Sequence, residues 1–257
     1  LRARTRVDAF LARCLADIER EQPAIVGFTS VFQQHVASIA LARQVKERLP
    51  GALIVFGGAN CEGVMGAETL RQFPWVDAAV SGEGDVIVPE LVTRHLAGKS
   101  ISGLTGVRTQ DRLRDAFAFK QFTNAPAVED LDALPHPDYR DYFAQFERSR
   151  FGDDWQPGTF METSRGCWWG ERMHCTFCGL NGGTMRYRSK SAGRALDEMT
   201  ALATTHKDAD IQIVDNILDL DYFKTLLPEL AARKVDFGLF YETKSNLKRD
   251  QIRSLKA

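Results

Sequence analysis

The chain has 257 residues, with 33 Lys and Arg against 34 Asp and Glu, a formal net charge of −1. A balanced charge gives no electrostatic case for a nucleic-acid binder. No apolar run reaches the ~18 residues that cross a bilayer, and no signal-peptide pattern opens the chain. Of the five cysteines, three fall between 167 and 178, which suits an intracellular, cytoplasmic metal site better than a secreted disulfide scaffold. The chain opens Leu1-Arg2-Ala3 without an initiator Met and stops at Leu255-Lys256-Ala257 inside a helical pattern, as expected of a processed protein or a segment of a longer one.

Residues 5–20 carry Val7, Phe10, Leu11, Cys14, Leu15 and Ile18 at helical spacing. Ile25 to Ser30 then reads as a short apolar strand, followed by a helix through Val36, Ile39, Ala42, Val45 and Leu49 that closes at Pro50-Gly51. Ala52 to Phe56 is a second buried strand ended by Gly57-Gly58. Val76 to Val80 is a third, ended by Ser81-Gly82-Glu83-Gly84. A helix over 85–96 follows, with Pro89 expected in its first turn. Apolar strands alternating with helices predict a doubly wound, Rossmann-like α/β domain over 1–100, with a parallel sheet covered on both faces. Ligands of such sheets bind outside the carboxyl ends of the strands. Those ends are Ser30, Gly57-Gly58 and Gly82-Glu83-Gly84. The glycines serve either as tight turns or as ligand loops, and none matches the dinucleotide fingerprint.

Residues 101–157 lose this rhythm and read as an interdomain connector, with one short strand near Gly106-Val107-Arg108 and a proline-stiffened stretch, Leu134-Pro135-His136-Pro137-Asp138-Tyr139. His136 between its two prolines reads as a surface loop residue. The second domain, 158–257, opens with a strand over 160–164 that runs into Arg165-Gly166-Cys167-Trp168-Trp169-Gly170 and on to His174-Cys175-Thr176-Phe177-Cys178-Gly179. Three thiols in a C-x7-C-x2-C string have the softness for an iron–sulfur cluster or for zinc. Zinc wants a fourth ligand, for which His174 is the candidate, but a second C-x2-C pair is absent. Three cysteines without a fourth suit a four-iron cluster with one iron left open. Cys14 and Cys61 read as ordinary small packed residues.

This string, with an aromatic residue directly before its last cysteine, resembles the radical S-adenosylmethionine superfamily, whose commonest spacing is C-x3-C-x2-C. The seven-residue gap is a departure. The stretch from Ser164 to Gly182 resembles one branch more closely: the cobalamin-dependent C-methyltransferases that mature ribosomally made peptides. So do Leu134-Pro135-His136-Pro137-Asp138-Tyr139, Arg186-Tyr187-Arg188-Ser189-Lys190-Ser191, Val214-Asp215-Asn216-Ile217-Leu218 and Tyr241-Glu242-Thr243-Lys244-Ser245-Asn246-Leu247. The resemblance implies a cobalamin-binding-like first domain followed by the first half of a partial (β/α) barrel, with only three of about six strands before Ala257. The segment alone is then not expected to turn over.

It further implies that Cys167, Cys175 and Cys178 hold a [4Fe–4S] cluster whose open iron chelates S-adenosylmethionine. Reductive cleavage would yield a 5′-deoxyadenosyl radical that takes hydrogen from an unactivated carbon, and methylcobalamin would deliver the methyl group. Phe177 matches a position near the adenine. Asp215 and Asn216, after the strand 211–214, match the site of the amino group. Glu242 and Lys244, after the strand 237–241, stand where the ribose or carboxylate is reached. Each of these four polar residues reads equally as a loop cap or a salt-bridge partner. Ser30-Val31-Phe32, Gly57-Gly58 and Gly82-Glu83-Gly84 match the cobalamin loops. The histidine loop that would supply a lower axial ligand falls before residue 1. His35 reads as a surface residue at a helix start, and Arg186, Arg188, Lys190 and Arg194 as a solvated basic run or a peptide groove. The implied partners are a precursor peptide and a reductant such as flavodoxin or ferredoxin, with no nucleic acid and no membrane. Two alternatives stay open: a non-methylating radical enzyme with a degenerate first domain, and a zinc-stabilised interaction module completed by His174.

Overall fold

The computed structural model describes residues 4–114, 122–150, 152, 154–179, 185–207 and 209–256. The chain divides into two units, Leu1–Val128 and Glu129–Ala257. The segment 101–157 is therefore shared between them rather than standing apart.

In the first unit, helix α1 (Val7–Glu21) leads into strand β1 (Ile25–Thr29), then α2 (Gln34–Arg48), β2 (Leu53–Gly57), α3 (Val64–Gln72), β3 (Ala78–Val80), α4 (Gly84–Leu96) and β4 (Val107–Thr109). The sheet order is β1-β2-β3-β4. β1, β2 and β3 run parallel, in register Ile25 to Leu53 and Val55 to Ala78, and β4 closes the edge antiparallel. On one face Ile39, Ala42 and Val45 of α2 and Leu70 of α3 pack on Val26, Ile54 and Phe56. On the other, Ile87 and Leu91 of α4 pack on Val55, Ala78 and Val80. Apolar residues point to both faces of β2, so its sequence is continuously apolar where a half-exposed strand would alternate. Phe56 is fully buried, and removing such a ring from water contributes about 2–3 kcal/mol.

One local expectation is corrected, and one helix was not anticipated. α4 starts at Gly84, which places Pro89 in the second turn. It therefore removes one internal hydrogen bond of the helix, since only the first four N–H groups lack an intrahelical acceptor. α3 was not legible, because its run Val64-Met65-Gly66-Ala67 lacks an apolar stripe of helical period.

The second unit contains α5 (Arg140–Glu147), β5 (Thr159–Met161), β6 (Ser164–Arg165), β7 (Arg188–Ser189), α6 (Ala192–Thr205), β8 (Ile211–Ile213), α7 (Leu226–Arg233), β9 (Leu239–Phe240) and α8 (Arg249–Lys256). β5, β8 and β9 form a parallel sheet in that order. Met199 and Leu202 of α6 and Leu226 and Leu230 of α7 pack with Met161, Ile211 and Ile213 of the strands. These are βα units, but the sheet is open and barrel closure is not evident among the described residues. The strand expected over 160–164 is broken in two. β5 ends at Met161, and β6 turns to pair antiparallel with β7, Ser164 opposite Ser189. No helix among the described residues is long and apolar enough to cross a membrane.

Candidate functional site

The cysteine loop emerges where β6 ends and is closed at its base by β7. Gly166 makes the exit. Its φ is +82°, and a Cβ there would stand 2.1 Å from the Arg186 carbonyl oxygen, so only glycine fits. The next residue, Cys167, donates its N–H to the Met185 carbonyl at 3.2 Å, and its own carbonyl accepts from Glu171 at 2.9 Å. Gly170 N–H donates to Cys167 Sγ at 3.3 Å, the kind of N–H···S bond that tunes cluster potential in iron–sulfur proteins. Cys178 N–H donates to the Cys175 carbonyl at 3.0 Å, the closure of a β-turn that brings residues i and i+3 together.

All three cysteines are half-buried free thiols. Among the described residues no three His, Cys, Asp or Glu side chains are gathered closely enough to hold a metal ion. Thus the donor set suits a cluster with one open iron, and the turn and the N–H···S bond are in place, while the three thiols are not drawn together. His174 is exposed and joins no ligand group among the described residues. Leu180-Asn181-Gly182, the end of the matched string, lie outside the described residues.

A buried polar knot ties the strand ends beneath this loop. Asp215, 2% exposed, accepts from Thr163 N–H at 2.7 Å, Thr163 Oγ1 at 2.5 Å and Ser164 Oγ at 2.9 Å. Burial raises its pKa above the ordinary aspartate value, against the lowering effect of those donors. Tyr241 Oη lies 3.0 Å from Thr163 Oγ1, and burial pushes that phenol well above its usual range. Tyr222 Oη donates to the Lys190 carbonyl at 2.7 Å. Asn216 donates to the Gly166 carbonyl at 3.3 Å. In this structure Asp215 and Asn216 therefore hold the base of the cysteine loop from the end of β8.

Other residues singled out in the sequence are placed as follows. The Lys244 ammonium sits 2.9 Å from the Trp169 ring centroid and 5.9 Å from that of Trp168. Trp168 Nε1 donates to the Leu218 carbonyl at 3.0 Å. Lys244 thus clamps the first turn of the cysteine loop. The Glu242 side chain is exposed, and its backbone carbonyl accepts from Leu218 at 2.8 Å. Phe177 is 90% exposed.

The basic run is only partly a solvated face: Arg186 is exposed, whereas Lys190 is buried. Lys190 is buried and bonds both carboxylate oxygens of buried Glu198, at 3.0 and 2.8 Å. Arg194 reaches the Leu134 carbonyl. Arg186 grips Glu129 with both terminal nitrogens. Arg186, Lys190 and Arg194 reach these partners because the run straddles β7 and the first turn of α6, where one side faces the protein.

The carboxyl ends of the first unit's strands form a second candidate site. Ser30 is fully buried. Its N–H donates to the Gly57 carbonyl at 2.8 Å, and its carbonyl accepts from Asn60 N–H at 3.1 Å. Gly58 has φ +90°, and a Cβ there would stand 2.8 Å from the Ser30 carbonyl oxygen, so the two strand-end loops touch backbone to backbone. Gly82 has φ +88°. Beside it Ser81 Oγ donates to Asn124 at 2.6 Å and accepts from Gly63 N–H at 2.8 Å, and Glu83 accepts from Val128 N–H at 2.8 Å. Gly84 opens α4. Phe32, at φ +47°, is 71% exposed, and Val64 and Met65 are about half exposed. With Asn60 and Phe73 they line an open groove of about 550 Å³.

His35 corrects the sequence expectation. It is half-buried, with Nδ1 2.7 Å from Ser30 Oγ and its ring edge against Phe56. Asn60 Nδ2 donates to Ser30 Oγ at 3.2 Å and to the Phe32 carbonyl at 3.1 Å. Neither His35 nor Asn60 was singled out as a site residue from sequence. His35 lies five residues past Ser30, a spacing that signals contact only once the turn between them is known.

No family model matches the chain. It is 25% identical over 206 residues to an uncharacterized methyltransferase of Pyrococcus horikoshii, covering 79% of this chain and 42% of that protein. It is 26% identical over 211 residues to the anaerobic magnesium-protoporphyrin IX monomethyl ester cyclase of Rubrivivax gelatinosus, covering 78% and 36%. The chain therefore spans less than half the length of these relatives. Among solved structures it superposes on the cobalamin-dependent S-adenosylmethionine radical enzyme OxsB, bound to aqua-cobalamin and S-adenosylmethionine. The TM-score is 0.71 at 14% identity, covering 95% of this chain and 35% of that one. It also superposes on the radical S-adenosylmethionine methyltransferase TsrM of Kitasatospora setae. That structure holds tryptophan as substrate and an analogue of S-adenosylmethionine, and there the TM-score is 0.67 at 20% identity, covering 98% and 49%. The chain thus has the α/β fold of cobalamin-dependent radical S-adenosylmethionine enzymes, and its sequence is similar to a methyltransferase and a cyclase.

Proposed function

We propose that this chain is part of a cobalamin-dependent radical S-adenosylmethionine enzyme that methylates carbon on a ribosomally made precursor peptide. The observation that carries the reading is the cysteine loop: three thiols without a fourth, one already accepting an N–H···S bond, at the carboxyl end of a parallel sheet. Cys167, Cys175 and Cys178 would hold a [4Fe–4S] cluster. Ser30, Phe32, Gly57, Gly58, Gly82, Glu83 and Gly84 would face cobalamin, a reading supported by the resemblance of these loops; of them Phe32 lines the open groove with exposed Val64 and Met65, which suits a large flat ligand with apolar faces. When bound, cluster and S-adenosylmethionine supply a radical at carbon and cobalamin supplies a transferable methyl group.

The protein's own contribution is placement. Asp215 pins Thr163 and Ser164, and so fixes the direction in which β6 launches the loop. Asn216 holds the Gly166 carbonyl, and Lys244 holds Trp169. The exposed Phe177 ring is left for a partner that the loop acquires when it closes. Three barrel strands, a precursor peptide and a flavodoxin or ferredoxin as reductant complete the proposal. The peptide reading is supported by the resemblance of the loop and strand-end strings.

A second reading, a radical enzyme that does not transfer methyl groups, is favoured by the similarity to the cyclases. The two separate when the anaerobically reconstituted full-length protein is incubated with a precursor peptide, S-adenosylmethionine, reductant and hydroxocobalamin. Methyl transfer yields 5′-deoxyadenosine and S-adenosylhomocysteine together and needs the cobalamin. 5′-Deoxyadenosine alone, unaffected by cobalamin, would overturn the first reading in favour of the second.

A further inference from the structure

The hydrogen-bond chain at the end of β1 has a fixed direction. The Phe32 carbonyl can only accept, so the Asn60 side chain must turn its NH2 toward it, and the same nitrogen donates to Ser30 Oγ. Ser30 Oγ already accepts from Asn60 and is sealed from water, so its own proton goes to His35 Nδ1 at 2.7 Å. A ring nitrogen that accepts carries no proton, and the neutral ring then holds its proton on Nε2. No hydrogen bond engages Nε2 among the described residues. The ring lies on the border of two open depressions. One is the groove with Phe32, Val64 and Met65, and the other lies along α2 with Val36, Ile39 and Trp75. A single N–H donor, set in one tautomer by a relay through buried Ser30, thus borders two largely apolar depressions at the end of β1.

We infer that His35 is a ligand-positioning residue: through Nε2–H it donates to a carbonyl oxygen on the rim of the molecule bound at the ends of β1 and β2. This rests on the cobalamin reading above, and the matching acceptor is one of the carboxamide side chains around a corrin ring. His35 acts on that rim and does not ligate the cobalt. Asn60 and Ser30 set its tautomer.

Two measurements test it. In the 15N spectrum of the imidazoles, assigned with the His35→Phe variant, the neutral form of the His35 ring should show Nδ1 unprotonated and Nε2 protonated. A proton on Nδ1 would overturn the relay. In titrations with hydroxocobalamin followed by absorbance, His35→Phe should weaken binding about tenfold, the scale of one lost hydrogen bond to a buried rim. His35→Gln, which keeps an N–H donor, should recover part of the loss, and the cobalamin absorption bands should be the same in all three proteins. Circular dichroism checks that the variants fold. Equal affinity for wild type and His35→Phe would overturn the inference while leaving the cobalamin reading intact. Bands that shift with the variant would make His35 a cobalt ligand instead. A folded wild type that binds no hydroxocobalamin would remove the cobalamin reading itself, and this inference with it.

Discussion

The two strand-end sites of this molecule are built on the same plan and finished differently. In the first unit the loops after β1, β2 and β3 are cross-tied. Backbone meets backbone at Ser30 and Gly58, and side chains meet at Ser30–His35–Asn60 and Ser81–Asn124. In the second unit the ties are concentrated at the base, around Asp215, Thr163 and Ser164, while the loop above carries three ungathered thiols and an exposed Phe177. A ligand that arrives whole, such as cobalamin, needs a finished surface, because every group ordered on binding subtracts from affinity. A cluster assembled in place contributes its own bonding energy to shaping the loop, so the protein need only fix where the loop starts.

The comparison can be broken at several points. The largest effect is expected at the fully buried Lys190–Glu198 pair. Lys190→Met leaves the buried Glu198 carboxylate with only the Arg194 guanidinium, 3.6 Å away, and should cost about 3 kcal/mol in denaturant melts. Replacing both with apolar residues should recover most of that. If the single variant melts like wild type, the pair does not anchor β7 and the loop base.

Asp215→Ala strands three donors, at Thr163 N, Thr163 Oγ1 and Ser164 Oγ, and should cost about 2–3 kcal/mol. pH gives an independent check. Because burial raises the folded-state pKa of Asp215 above its unfolded value, the folded protein binds the extra proton in the interval between the two. Stability from this group therefore falls as pH rises through that interval. Asp215→Asn lacks the proton, so the stability of wild type relative to this variant should increase as pH is lowered through the raised pKa. An unchanging difference would contradict a buried Asp215.

In the first unit, Gly58→Ala combines a positive φ with a backbone collision at Ser30. It should cost about 1–3 kcal/mol and loosen the first unit's strand-end loops while leaving iron content alone. Parallel loss of iron would mean that the two sites are not separately built. The smallest effect is expected from Lys244→Met, which removes the cation–π contact on Trp169 and should cost about 0.5–1 kcal/mol. It should also speed proteolysis within the cysteine loop. Unchanged cleavage there would remove Lys244 as its clamp.

The comparison also explains what was legible in the sequence. The first-unit strands could be read because β2 buries both faces, and because Gly57-Gly58 and Gly82-Glu83-Gly84 mark positions where a side chain would strain or collide. The C-x7-C-x2-C string was legible because three thiols in twelve residues have few other uses. What escaped was long-range pairing. Lys190 looks like any surface lysine until α6 brings Glu198 against it. Asp215 reads as a free loop acid until β5 and β6 deliver Thr163 and Ser164. The break between β5 and β6 was hidden because apolar spacing does not report a two-residue change of pairing partner. His35 was missed for the related reason that its contact to Ser30 depends on the backbone turn at Phe32, a residue with positive φ.

The central claim is that the cysteine loop gathers around iron. The most direct measurement is iron, sulfide and zinc content of the anaerobically reconstituted protein, with an electron paramagnetic resonance spectrum of the reduced form before and after S-adenosylmethionine is added. The account requires about four irons per chain, a spectrum that changes with S-adenosylmethionine, and loss of the iron in Cys167→Ser, Cys175→Ser and Cys178→Ser. One zinc and no iron, lost on His174→Ala, would contradict it and leave the loop as a zinc-stabilised interaction module.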